Sequence, residues 1–270
     1  MGPLMLRGEI LLCSLDLGGH QFPRHAHPGW SISVVQGGAG HFRCSGAGYR
    51  APEGAVTVLH PGEGHDGWVC PKEGLRYLVV SLPDSAPGTI FGFAGTPFFP
   101  GRVVSDPLVA ERLGAAFRLL AAGEDDLRVE SVAVQALGRL FRGHSQCRAD
   151  GQRSPAVDVV RRYIDSRFAS RVTLGDLAAR AETHPATLLR HFRAETGLAP
   201  YEYVVSRRID EARRLLAVGL PPAEVSVRAG FADQSHLNRH FRQIVGVTPG
   251  RFARSLGVTI VQDIRASAGR

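Results

Sequence analysis

The stretch Arg190-His-Phe-Arg193 occurs a second time in the chain, as Arg239-His-Phe-Arg242. The same offset pairs three further positions: Gly197 with Gly246, Pro200 with Pro249, and Tyr203 with Phe252. Because short matches at one fixed offset are typical of a duplicated structural unit, we predict two copies of a small helical unit in the last third of the chain.

The first copy has the local signals of a helix-turn-helix. Thr173 and Asp176 have the spacing of a capping box, in which each side chain satisfies a backbone N–H at the start of a helix. Pro185 suits the first turn of a second helix, where its missing N–H is not needed. Phe192 lies on the inward face of that helix, and Gly197 ends it.

The second copy repeats these signals, and a connector joins the two. Asp233 is a good N-cap, Leu237 and Phe241 form the inward pair, and Gly246 ends the helix. Between the copies, residues from about 200 to 217 read as one long helix. A rigid connector fixes the separation of two recognition helices, so that they enter successive major grooves about 34 Å apart.

The outward faces of this region carry side chains suited to DNA. Arg, Gln and Asn make bidentate contacts with base edges, whereas arginines outside the groove contact phosphates and position the protein. We therefore assign DNA contacts to Ala186, Thr187, Arg190 and Arg193 in the first unit, to Arg207 and Arg208 on the connector, and to Gln234, His236, Asn238, Arg239 and Arg242 in the second unit.

The distribution of charge along the chain supports this assignment, and the composition argues against a membrane or secreted protein. Residues 1–150 carry 13 basic and 14 acidic side chains, whereas residues 151–270 carry 19 and 11, so the net charge of +7 lies in the C-terminal part. Such asymmetry favours a polyanionic partner. No apolar run is long enough for a membrane span, no signal peptide is evident, and four widely spaced cysteines suggest a reducing cytoplasm.

The N-terminal half has a different pattern. Trp30–Gln36, Val56–His60 and Leu75–Leu82 read as strands separated by Gly and Pro turns, which favours an all-β barrel or sandwich. Two amphipathic helices follow and either cover the barrel or pair two subunits. We divide the chain into a sensing domain over 1–147 (strands to about 104, helices over 105–143), a linker over 148–155, a DNA-binding domain over 156–256 and a tail over 257–270.

From about Val157 to Arg254 the sequence resembles the AraC/XylS family of bacterial transcription regulators. The matching residues of the second unit are Gly230-Phe231, Ser235, Arg239, Phe241, Gly246, Thr248-Pro249 and Phe252, which replaces the usual Tyr. Arg208 to Leu216 is similar to the family's connector, and His184 replaces a Ser before Pro185, with Thr183 as an alternative cap. The resemblance implies an α+β multidomain chain with a cupin-like N-terminal effector domain, DNA binding by both units, and recruitment of RNA polymerase.

Three histidines mark a candidate site in the N-terminal domain. His25 and His27 share one face of an extended segment, and His65 belongs to a cupin-like Pro-Gly-Glu-Gly-His stretch. They line an effector pocket together with Trp30 and Trp68, or form structural hydrogen bonds, or hold a metal. Ser31 and Ile32 stand where metal-binding cupins have Glu, with Glu63 as a replacement ligand. We assign effector binding to the five residues, and no metal or cofactor.

The sequence thus predicts a DNA-binding transcription regulator, not an enzyme, that responds to a small molecule. Two alternatives remain at this point. One is a metal-dependent cupin enzyme fused to a DNA-binding domain. The other is a DNA-binding protein whose N-terminal domain only dimerises. A homodimer is compatible with each of these hypotheses.

Overall fold

The computed structural model of the 270-residue chain describes residues 4–6, 10–124, 126–148 and 154–255. The predicted tail over 257–270 and most of the predicted linker lie outside the described residues. Within the described part of the chain, no helix is both long and apolar enough to cross a membrane.

Short strands separated by turns build the N-terminal domain. The strands are β1 (Leu4–Leu6), β2 (Ile10–Leu17), β3 (His20–His25), β4 (Trp30–Cys44), β5 (Ala47–Pro52), β6 (Val56–Leu59), β7 (His65–Val69), β8 (Leu75–Leu82), β9 (Thr96–Phe98), β10 (Val103–Val104) and β11 (Gln146–Arg148). One layer has the order β1-β2-β8-β4-β6-β10, and a second has the order β3-β7-β4-β5. All pairings are antiparallel, and the long strand β4 belongs to both layers.

Strand β4 separates two interiors because successive side chains point to opposite faces. Trp30, Ile32 and Val34 are buried in a core formed against the helices that follow the barrel. Ser31 and Ser33 alternate with them and line a cavity inside the barrel. The same strand therefore supplies an apolar wall on one side and small polar groups on the other.

Three helices follow in the N-terminal domain: α1 (Ala86–Thr89), α2 (Pro107–Ala121) and α3 (Asp126–His144). Asp106 is the N-cap of α2 and accepts hydrogen bonds from the backbone N–H groups of Leu108 and Val109. Leu137 and Phe141 on α3 are fully buried against the sheet. The hairpin therefore covers the barrel, one of the two predicted roles. Leu127, near the start of α3, is instead 70% exposed.

The described part of the C-terminal domain has seven helices: α4 (Pro155–Arg167), α5 (Leu174–Arg180), α6 (Pro185–Thr196), α7 (Pro200–Ala217), α8 (Pro222–Arg228), α9 (Gln234–Val245) and α10 (Pro249–Ser255). Helices α5 and α6 are the first helix-turn-helix unit, α8 and α9 are the second, and α7 connects them. The predicted α+β architecture, with a barrel, a helical hairpin and two helix-turn-helix units joined by a long helix, is confirmed.

The helix ends follow the predicted caps closely. The capping box between Thr173 and Asp176 is present, and Gly197 and Gly246 end the two recognition helices in the left-handed conformation, with φ of 76° and 88°. Although His184 replaces the family's Ser, it is itself the N-cap of α6, because its Nδ1 accepts from the Ala186 N–H at 3.3 Å.

Asp233 provides a direct test of the capping argument. Its carboxylate accepts a 2.7 Å hydrogen bond from the His236 N–H at the start of α9. Substitution Asp233→Ala removes this acceptor and should lower the free energy of unfolding by about 1 kcal/mol, measured by urea denaturation. Asp233→Ser keeps an N-cap acceptor and should recover most of that loss. Equal losses in both variants would contradict the capping role.

The two domains are packed together through α7 and α9. Leu15, Leu17 and Val79 of the barrel share one apolar core with Ile209 of α7 and Val245 of α9. Strand β3 adds polar contacts at the ends of both recognition helices. His20 Nε2 donates to the Gln243 carbonyl at 2.9 Å, and Arg24 Nε donates to the Gly197 carbonyl at 2.6 Å. The cationic side chain at Gly197 also complements the negative end of the α6 dipole.

Candidate DNA interface and effector cavity

The recognition helices α6 and α9 present their predicted DNA-contacting side chains outward. Their inward pairs, Leu188 with Phe192 and Leu237 with Phe241, are buried. On the opposite faces, the exposed residues are Ala186, Arg190, Arg193, Gln234, Arg239 and Arg242, whereas Thr187, His236 and Asn238 are half-buried. This amphipathic arrangement leaves polar helix faces of the size that the major groove admits.

The arginines of these two helices differ from those elsewhere in the domain. Arg214 pairs with Glu211 at 2.7 Å, and Arg228 pairs with Glu224 at 2.6 Å. In contrast, no residue in the described ranges forms an ion pair or hydrogen bond with the side chains of Arg190, Arg193, Arg239 and Arg242. Their charges are therefore available to a polyanion without first breaking an internal contact.

His236 has an internal role at the turn of the second unit. Its Nδ1 accepts from the Ala232 N–H at 3.4 Å, and its ring lies 5.4 Å from Phe231 and 4.8 Å from His240, between centroids. Burial and the charges of His236 and Arg239 lower the pKa of His240. The structure gives His236 a part in fixing the turn, and its contact with DNA stays a prediction.

The connector arginines, predicted to contact phosphates, have partners inside the protein. Arg207 forms a 2.7 Å ion pair with Asp165, and its guanidinium lies 5.2 Å from the Phe168 ring centroid. Arg208 donates to the carbonyls of Phe168 at 2.7 Å and Ser170 at 3.0 Å. Both side chains fasten α7 to the end of α4, a role that sequence analysis did not foresee.

Arg208→Ala separates the structural role from phosphate binding. Loss of two charge-assisted hydrogen bonds to carbonyls should lower the free energy of unfolding by about 1.5–3 kcal/mol, measured by urea denaturation. At a temperature where the variant remains folded, DNA affinity should stay close to that of the parent protein. The opposite result would favour the phosphate contact: unchanged stability, weaker DNA binding, and a slope of log affinity against log salt concentration that is smaller by about one.

A cavity of about 140 Å³ lies inside the barrel and reaches the DNA-binding domain. Apolar side chains of the barrel, including Leu15, Phe22 and Val79, form much of its wall. The remaining wall was not predicted from the sequence, and the C-terminal helices supply it through Ile209, Asp210 and Arg213 of α7 and Ile244 and Val245 of α9. The signal in the sequence that could have indicated this part of the wall is the pair Asp210 and Arg213, two charged residues among the apolar residues of the connector.

The three predicted histidines meet in this cavity. The ring centroids of His25 and His65 are 4.2 Å apart, and His27 lies 5.1 Å from His25 and 5.2 Å from His65. His25 and His65 are buried. Burial and the neighbouring imidazoles lower the pKa of His25 well below its ordinary value, and burial with the charge of His27 lowers the pKa of His65 to about 4. The two buried rings are therefore neutral at pH 7.

Of the two tryptophans assigned to the effector pocket, the structure places only Trp68 in the cavity wall. Trp68 is 38% exposed and stacks on His41, with 5.3 Å between ring centroids. The assignment of Trp30 is wrong, because β4 points this side chain to the other face of the sheet. There its ring packs 5.1 Å from Phe141 and 5.9 Å from Phe99, between centroids.

Glu63, predicted as a replacement metal ligand, is engaged elsewhere. Its carboxylate accepts hydrogen bonds from Arg102 at 2.7 Å, from Ser45 at 2.6 Å and from His60 at 3.1 Å. Burial alone would raise the pKa of Glu63, but these donors outweigh it and hold the pKa far below its ordinary value. The Glu63 side chain is therefore structural, and it holds the segment before β7, which carries His65.

A barrel whose cavity is partly walled by the connector α7 and by α9 of the second helix-turn-helix unit defines a DNA-binding transcription regulator with a ligand-binding domain. Comparison with known proteins agrees. The model of an AraC-like ligand binding domain matches residues 8–137, and that of a helix-turn-helix domain matches residues 177–255. The chain belongs to the AraC family of transcription regulators.

Two relatives of the chain illustrate matches over most of both sequences. The uncharacterized HTH-type transcriptional regulator YbfI of Bacillus subtilis is 27% identical over 80% of this chain and 82% of its own. The transcriptional activator RhaS of Pectobacterium carotovorum is 26% identical over 84% and 86%. The crystal structure of wild-type ToxT from Vibrio cholerae, bound to an unsaturated fatty acid, superposes with a TM-score of 0.62 at 14% identity, covering 93% of this chain and 98% of that one. At this identity, the similarity to ToxT shows a shared fold and nothing more.

Proposed function

We propose that α6 and α9 enter successive major grooves and that a small organic effector in the barrel cavity changes how α7 and α9 rest on the barrel. The observation that carries this proposal is the shared wall of the cavity, to which both domains contribute. A ligand there touches Ile209, Asp210 and Val245 directly. Its binding free energy is then coupled to the placement of the DNA-reading helices, as allostery requires.

The size and lining of the cavity restrict the effector. A cavity of about 140 Å³ is close to the engineered apolar cavity of about 150 Å³ that accepts benzene. Its wall is mostly apolar, with imidazoles and the Asp210–Arg213 pair at one side. These features favour a compact molecule with an apolar body and one polar or charged end. ToxT has been solved with an unsaturated fatty acid bound, which has the same two-part chemistry on a longer chain.

The proposal also covers the partners, the location and the oligomeric state of the protein. The chain recruits RNA polymerase to promoters, acts in the cytoplasm and forms a homodimer, all of which its resemblance to the family supports. It is not an enzyme, a proposal supported by relatives such as YbfI and RhaS, which are named as transcription regulators.

The proposal is tested first by mapping bound sites across the genome of the source organism and choosing small molecules from the neighbouring transcription units. Affinity of the full chain for a mapped site is then measured by fluorescence anisotropy with and without each molecule. We expect one class of molecule to change the DNA affinity at least five-fold, the lower end of typical coupling energies.

Ser33→Leu gives the matching variant, because Ser33 faces the cavity from β4 of the barrel and is not part of the DNA-binding domain. The larger side chain should fill the cavity and remove the effector response while leaving the effector-free DNA affinity unchanged. A full response in Ser33→Leu would place the effector elsewhere. Failure of the full chain to bind any mapped duplex would overturn the proposed function itself.

A further inference from the structure

The three cavity histidines come from different parts of the barrel, yet their ligating nitrogens converge. His25 ends β3, His27 follows it, and His65 begins β7. One nitrogen from each of the three rings lies within 4.8 Å of the others. The strand pairing between His25 and His65 sets two of these positions through the backbone rather than through flexible side chains.

Each of the three rings is held by a hydrogen bond from its Nδ1. His25 Nδ1 donates to the Pro23 carbonyl at 2.8 Å, and His65 Nδ1 donates to the Glu63 carbonyl at 3.0 Å. His27 Nδ1 donates to the Asp210 carboxylate at 3.3 Å. Whenever a ring is in its neutral form, which carries one N–H, its bond leaves Nε2 as a lone-pair acceptor, and this is the form in which imidazole binds a metal.

No described residue donates a hydrogen bond to any of the three Nε2 atoms. Within the described ranges, the hydrogen bonds of these rings all use Nδ1. The ligating nitrogens of the three rings lie within 4.8 Å of one another, and lone pairs at such distances repel each other unless a cation or a donor lies between them. A carboxylate or carbonyl behind each ring is the arrangement that orients histidines bound to metals. We propose that His25, His27 and His65 form a site for a divalent transition metal ion, with Zn²⁺ as the representative ion.

The chemistry of the donor set restricts the ion. Neutral imidazoles suit Zn²⁺, Ni²⁺, Cu²⁺ and Fe²⁺, whereas Ca²⁺ and Mg²⁺ require oxygen ligands. Zn–N bonds of about 2.0–2.1 Å place tetrahedral ligand atoms about 3.3 Å apart, so the rings need to close inward by roughly 1 Å. Three protein ligands leave a fourth position for water or for a donor atom of an organic molecule in the cavity.

Asp210 links this site to the DNA-binding domain. It is the one partner of the three rings that lies on α7, and it also pairs with Arg213 at 3.4 Å. A metal on Nε2 makes the Nδ1–H more acidic and so strengthens its hydrogen bond to a carboxylate. Binding of the ion therefore tightens a contact between the domains. This regulatory consequence rests on the proposed function, whereas binding of the ion does not.

The site is tested on untagged full-length protein stripped with a chelator and titrated with Zn²⁺ by calorimetry. Co²⁺ serves as a spectroscopic probe through its visible d–d bands. We expect one equivalent of Zn²⁺ per chain and Co²⁺ bands typical of four-coordinate imidazole ligation. His27→Gln removes a half-buried ligand and should abolish stoichiometric binding, with circular dichroism confirming the fold. Asp210→Asn should weaken binding about ten-fold, as expected for a group that only orients a ligand.

His41→Gln is the matched control, because His41 lines the same cavity but stacks on Trp68 outside the cluster. It should bind Zn²⁺ like the parent protein. Absence of stoichiometric binding in the parent protein, or full binding by His27→Gln, would overturn the proposal. DNA affinity of the metal-free protein is measured in parallel. Intact DNA binding without metal binding refutes the metal site alone, whereas loss of specific DNA binding in the parent protein refutes the proposed function.

Discussion

The double substitution Arg190→Ala, Arg239→Ala should weaken binding of the full chain to its specific DNA site by about 2–6 kcal/mol, or from roughly 30-fold to more than 10,000-fold. Each arginine is exposed on the outward face of a recognition helix, and neither has an ion-pair partner among the described residues. A side chain that reads a base contributes about 1–3 kcal/mol. The two losses should add, because the residues lie on separate helix-turn-helix units.

Measurements on specific and unrelated duplexes over a series of salt concentrations distinguish base contacts from phosphate contacts. Loss confined to the specific duplex indicates base reading, whereas equal losses on both with a shallower salt dependence indicate phosphate contacts. Arg214→Ala removes the same charge from the same domain, at a position paired with Glu211. It should change affinity far less. Unchanged binding by the double variant would show that α6 and α9 are not the DNA-reading helices.

Glu63→Gln should lower the free energy of unfolding by about 3–5 kcal/mol, although Gln has nearly the same shape as Glu. The change leaves the guanidinium of Arg102, 2.7 Å from the Glu63 carboxylate and buried, without its counter-charge. Removing one partner of a buried ion pair costs this much because the remaining charge stays out of water.

The control for this variant is Glu73→Gln, in which an exposed carboxylate faces His41 and Arg50. Its loss should be far smaller, because exposed ion pairs are screened by solvent. Urea denaturation of the three proteins at pH 7 provides the comparison. Equal stability of Glu63→Gln and Glu73→Gln would contradict the buried network.

The pH dependence has a defined sign. Hydrogen bonds hold the pKa of folded Glu63 below its ordinary value of 4.5, so the unfolded chain takes up a proton first as the pH falls. The stabilisation by Glu63 is therefore complete above pH 4.5 and is lost progressively at lower pH. Glu63→Gln should lose stability less steeply than the parent protein in this acid range. A parallel slope for the two proteins would assign the acid sensitivity to other groups.

The sequence predicted those features that depend on neighbouring residues. Capping by Thr173 and Asp233, the glycine helix ends, and the inward position of Phe192 and Phe241 are set within one or two helical turns. The position of His184 as an N-cap is also local, but imidazole is an uncommon cap, so the family pattern did not indicate it.

Other features were beyond the sequence because they depend on distant contacts. Alternation along β4 puts Trp30 and Ser31 on opposite faces, but it does not say which face encloses the cavity. The hydrogen bond between His27 and Asp210 joins residues 183 positions apart. Arg207 and Arg208 have the composition of a phosphate-binding surface, and only the position of α4 reveals their internal partners. A pattern of residue types predicts a helix face better than it predicts what that face touches.

Strand β3 contacts both recognition helices, through His20 at the end of α9 and Arg24 at the end of α6. The two anchors are four residues apart on an extended strand, about 13 Å. The same strand ends in the cavity at His25, so a small slide of β3 displaces both helices as a pair. The separation of the two helices along the double helix would then stay the same, whereas their angle to the DNA would change. An effector that acted in this way would change binding by both recognition helices together and leave the preferred spacer length unchanged.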